Sequence, residues 1–72
     1  MAHFPVIVVH RPDNEGGRRV TADGAGLGVA YGVGDVAEFF RRAEIPLDED
    51  DIPLTDLIEW RGGGPEVWPA QS

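Results

Sequence analysis

The segment Trp60-Arg61-Gly62-Gly63-Gly64-Pro65-Glu66-Val67-Trp68 sets two indoles and a guanidinium around a glycine-rich turn. Two chemistries follow. The indoles can close a small core from one edge, because a short chain needs large apolar caps. They can also form an exposed binding patch, since tryptophan and arginine concentrate at interface hot spots. In a hairpin they would meet across strands, with Arg61 stacking between aromatic faces. Trp60, Arg61 and Trp68 are therefore candidate partner-binding residues. A second candidate is the acidic run Asp48-Glu49-Asp50-Asp51, which suits a basic partner.

Covalent chemistry is limited by what the chain lacks. There is no cysteine, no lysine, and no serine before Ser72. Thr21, Tyr31 and Thr55 are the other hydroxyls. A Cys nucleophile, a Schiff-base lysine and a lysine-bearing phosphate loop are all excluded. Acid–base work by a carboxylate or histidine remains, and it needs a concave, partly dry pocket. A 72-residue chain has little to spare for one.

Three motifs fail on their spacing. Gly24, Gly26, Gly28, Gly32 and Gly34 suggest a dinucleotide loop, but Val29 and Tyr31 stand where G-x-G-x-x-G needs glycine. The glycines read instead as a strand with one small face, open to close approach by a helix or another chain. Asp48, Asp50, Asp56 and Glu59 fit positions 1, 3, 9 and 12 of a calcium loop. Ile52 and Pro53 break it at positions 5 and 6. His3 and His10 lack the further ligands of a zinc site. The expectation is no metal and no cofactor.

Charge argues against direct nucleic-acid binding. Six arginines face 13 acids, for a net charge of −7, whereas phosphate affinity needs clustered cations. Arg18-Arg19 and Arg41-Arg42 read as two exposed pairs balanced by acids. No stretch approaches the ~20 apolar residues of a membrane helix. The start of the chain lacks the basic segment and long apolar run of a signal peptide. The chain is expected to be cytoplasmic.

The elements that must position these residues are few. Residues 4–10 are β-branched and apolar on both faces, as in a buried strand. Arg18–Ala22 reads as a second strand with Val20 inward and Arg19 and Thr21 outward. Asp23-Gly24 is a hairpin signal, and a third strand follows over 26–31. Asp35 and Glu38 have capping-box spacing. Val36, Phe39, Phe40 and Ala43 follow the i, i+3, i+4, i+7 stripe of a buried helix face. Glu38 and Arg42 form an i, i+4 pair. Pro46 ends the helix near Glu44. Residues 46–56 form an acidic connector anchored by Leu47, Ile52 and Leu54. Leu57–Arg61 alternates as a strand, and Glu66-Val67-Trp68 has room for a short fifth.

The expected fold is one small α+β domain over 1–72, ordered β-β-β-α-β on a small antiparallel sheet, with residues 69–72 frayed. The helix stripe is expected against Val6, Val8, Leu27, Val29, Leu57 or Ile58, and Trp60. The expected function is a small acidic, non-enzymatic protein-interaction module, with homodimerisation through a strand edge as one form. An acidic nucleic-acid mimic occupying a DNA-binding protein's basic site is the alternative, and a small acid–base enzyme ranks below it.

Overall fold

The computed structural model describes residues 4–69. Strand β1 spans Ile7–Pro12, β2 Arg18–Ala22 and β3 Ala25–Ala30. They form the expected antiparallel meander. The first turn is held by Asp13, whose Oδ1 accepts the N–H groups of Glu15 and Gly17 at 2.8 and 3.0 Å. The second turn places Asp23 and Gly24 at φ of 52° and 84°. Positive φ at both positions is what a two-residue hairpin of matching twist requires.

Helix α1 spans Val33–Arg42 and starts ahead of Asp35. Asp35 is therefore not the cap. It lies in the first turn, and its carboxylate reaches back to accept the Tyr31 N–H at 2.9 Å. The helix closes with Glu44 at φ 60°. The Glu44 N–H donates to Arg41 O, and the Ile45 N–H to Phe40 O at 2.8 Å. That is a Schellman closure with glutamate where glycine is usual, and it buries Ile45. On its exposed face Glu38 pairs with both Arg41 and Arg42.

Strand β4, Ile58–Trp60, pairs with β1 in parallel. The sheet order is β3-β2-β1-β4, so the sheet is mixed. The pairings make β3 parallel to β4, at opposite edges, with α1 as the crossover between them. The α+β order β-β-β-α-β is as expected. No fifth strand forms among the described residues: Glu66-Val67-Trp68 runs as turn and coil. The expected frayed end lies, past Pro69, outside the described residues.

The core sits between α1 and one sheet face. Ile7, Val9, Val20, Ala30, Val36, Ala37, Phe40, Ile45, Ile52 and Ile58 compose it, with Leu27, Phe39, Leu47, Trp60 and Trp68 packed around. Several phases differ from expectation. Ile7 and Val9 face the helix, while Val6 is exposed and Val8 is buried on the opposite face. Val29 and Leu57 are exposed, and Ile58 takes the inward position. Ala37 replaces Ala43 in the buried stripe, because α1 ends at Arg42. Leu54 is exposed, leaving Ile52 and Leu47 as the connector's anchors.

The small face of β3 serves the helix. A Cβ on Gly28 would stand 2.6 Å from the Phe39 ring, and Gly28 has φ 149°. Glycine is needed there on both counts.

Candidate functional site

Arg18 is the one charged side chain buried among the described residues, with no exposed surface. Sequence alternation places it in phase with Val20, on the helix side of β2. Its guanidinium uses all five donors on carbonyl oxygens. Nε donates to His10 O at 2.9 Å. Nη1 donates to Gly64 O at 2.9 Å and Val67 O at 3.0 Å. Nη2 donates to Arg61 O at 2.8 Å and Gly63 O at 2.7 Å. Burial pulls its pKa below the ordinary value, and the Glu66 carboxylate pulls the other way.

The two tryptophans complete this nest. Their ring centroids lie 6.4 Å apart at 86°, edge to face. The Arg18 guanidinium stands 5.4 Å from each. Trp68 Nε1 donates to Pro65 O at 2.6 Å, closing the loop on itself. Both indoles are half-buried. The expected meeting of Trp60 and Trp68 is therefore present, but the arginine set against both rings is Arg18, not Arg61. Arg61 is exposed and pairs with Glu59, and only its carbonyl joins the nest. The expected exposed pair Arg18-Arg19 is split, with Arg18 inward and Arg19 outward. Two glycines make the loop geometry available: Gly62 and Gly63 have φ of 77° and 130°.

The acidic candidates occupy a separate turn. Asp48, Glu49, Asp50 and Asp51 are all exposed. Asp51 accepts the Asp48 N–H at 3.1 Å, and its own N–H donates to Asp48 O. Glu49 Oε1 lies 3.9 Å from the position of a Cβ on Gly34, beside the first turn of α1. A carboxylate there complements the helix dipole. No hydrogen bond or ion pair joins this turn to the tryptophan nest among the described residues.

Among the described residues no three His, Asp or Glu side chains converge as a metal site. His3 lies outside those residues. His10 Nε2 is 3.1 Å from Thr21 Oγ1, on the sheet face away from α1. No helix of the described residues is long and apolar enough to cross a membrane.

That outer sheet face was not singled out by sequence. Alternation along the strands places Val6, Val8 and His10 of β1 and its lead-in there. Arg19 and Thr21 of β2, Leu57, Glu59 and Arg61 around β4, and Val29 join them. Gly17 and Tyr31 belong to the same face, since a Cβ on Gly17 would strike Val29 Cγ1 and touch the Tyr31 ring. At the end near the first turn lies a cavity of about 350 Å³, lined by His10, Arg11, Pro12, Asp13, Arg19 and Val29. Comparison of the chain with protein-family models, with curated proteins and with solved structures finds no match.

Proposed function

We propose that this protein is a small non-enzymatic interaction module that docks a partner protein on the sheet face turned away from α1. One observation carries the reading. Of the five large hydrophobics exposed among the described residues, Val6, Val29, Tyr31 and Leu57 belong to this face or its rim, and Leu54 lies elsewhere. Apolar side chains collected on one side of a small domain, rimmed by charge, suit protein contact. Arg61 on this face is matched by Glu59, while Arg11 and Arg19 have no ion pair among the described residues, so the fitting partner presents apolar side chains flanked by carboxylates. A second copy is disfavoured as occupant, since two chains of −7 repel. In this reading Trp60 and Trp68 organise the scaffold, and the Asp48–Asp51 turn is a second, basic-partner surface.

The test compares capture from native lysate by the parent chain, by a Val29→Asp/Leu57→Asp variant and by Leu54→Ser. Loss of the same captured protein with the first variant only, alongside a monomeric parent chain in sedimentation, is the expected result. Capture insensitive to Val29 and Leu57, or concentration-dependent dimerisation abolished by the face variant, would overturn the assignment.

A further inference from the structure

Four of the six arginines are engaged. Arg18 holds five carbonyls, Arg41 and Arg42 share Glu38, and Arg61 pairs with Glu59. Arg11 and Arg19 have no ion pair or side-chain hydrogen bond among the described residues, although 13 acids are present in the chain. Both line the same cavity. With acids in two-to-one excess, two unpaired cations on one small cavity is the arrangement that composition alone least favours.

The backbone holds them there. Arg19 lies opposite Val29 in the β2–β3 ladder. Arg11 sits in the irregular stretch of β1 between Val9 and Pro12. Its Cβ is packed so closely on Gly62 that a Cβ there would approach to 2.5 Å. Asp13 also lines the cavity, but its Oδ1 is committed to two backbone N–H groups. By formal charge, Arg11 and Arg19 against Asp13 leave about +1 at the cavity on a protein of −7. Val29 and Pro12 supply an apolar floor, and His10, tied to Thr21, stands in the wall.

We propose that this cavity binds a small organic oxyanion, with its anionic group between Arg11 and Arg19 and its apolar body on Val29 and Pro12. Guanidinium pairs suit carboxylate and phosphate alike, because both present coplanar or tripodal oxygens to a fork of donors. A cavity of about 350 Å³ is at the small end of ligand sites, so the ligand is a compact one. The site needs no partner protein, and its failure would leave the docking reading standing.

The experiment is an amide NMR titration of the intact chain with inorganic phosphate, phenyl phosphate and benzoate. Saturable shifts confined to residues 10–13, 17–19 and 29 are expected. Phenyl phosphate should bind about tenfold tighter than phosphate, because its ring leaves water for the apolar floor. Response to benzoate as well assigns a carboxylate-tolerant site, and response to the phosphates alone assigns a phosphate site. Arg11→Gln and Arg19→Gln should each weaken binding at least tenfold, and Arg41→Gln should not. Val29→Glu sets a carboxylate directly opposite Arg19, where it pairs with that guanidinium and repels an incoming anion, and should abolish binding. Shifts spread equally over Arg41 and Arg42, or affinity retained in Val29→Glu or in the Arg11→Gln/Arg19→Gln double variant, would overturn the proposal.

Discussion

The Arg18 guanidinium lies 5.4 Å from the Trp68 ring, although the two residues belong to opposite ends of the chain. Trp60 stands at the same distance, its ring edge to face with that of Trp68. A buried cation normally answers to a carboxylate. Here carbonyl dipoles and two π faces do most of that work, with Glu66 supplying a longer-range attraction. The nest ties β2 to the loop after β4, which no strand pairing reaches.

Replacing Arg18 by methionine keeps some of the stem's apolar packing and removes all five donors. The loop carbonyls would have to open to water. A loss of about 3 kcal/mol is expected, by the cost of orphaned buried polar groups. That is a large share of the about 4–11 kcal/mol available to a chain this size. Arg18→Lys, with three donors and no planar fork, should lose about 2 kcal/mol. Urea unfolding followed by tryptophan fluorescence measures both. Arg18→Met as stable as the parent would show the nest to be ornamental.

Trp68→Phe removes the Nε1 bond to Pro65 O and leaves an aromatic face for Arg18. An expected loss of about 1 kcal/mol follows from one hydrogen bond. Trp68→Ala should lose about 3 kcal/mol, as large aromatic truncations do. A double-mutant cycle with Arg18→Met should show non-additivity, because the two side chains share one nest.

Two glycines of β3 should respond oppositely. Gly28→Ala drives a methyl into Phe39 at a positive φ, and should destabilise by about 2 kcal/mol. Gly26→Ala meets open space without positive φ. It should be neutral or stabilising by about 0.5 kcal/mol, through a less flexible unfolded chain. Thermal unfolding of the pair checks the sign of each.

Glu44 occupies the left-handed region at φ 60°, where a Cβ is strained. Glu44→Gly relieves that strain within an intact Schellman closure and should add about 0.5–1 kcal/mol. A lower melting temperature in this variant would mean that the Glu44 side chain holds the connector in some other way.

Much of this architecture was legible because its signals are local. Asp23-Gly24 announced a hairpin and Pro46 a helix end, and each acts within a few residues. The phase of β1 was not legible: with Val6, Ile7, Val8 and Val9 all apolar, either face could turn inward. The parallel placement of β4 depends on where α1 deposits the chain, which no local pattern encodes. The role of Arg18 was half visible. Alternation with inward Val20 already pointed it inward, but a strand-end arginine beside a second arginine reads as solvated. Four of the five carbonyls that receive it lie more than 40 residues away, in a loop whose glycines resembled a simple turn.

That separation has a kinetic consequence. The meander and α1 join residues near in sequence, whereas Arg18 reaches Arg61, Gly63, Gly64 and Val67 across 43 to 49 residues. Long closures of this kind come late on the route to the native state. Changes in the nest should therefore appear chiefly as faster unfolding, with refolding rates nearly unchanged. Arg18 then acts as a latch on the finished fold, setting how long the molecule stays closed once it has formed.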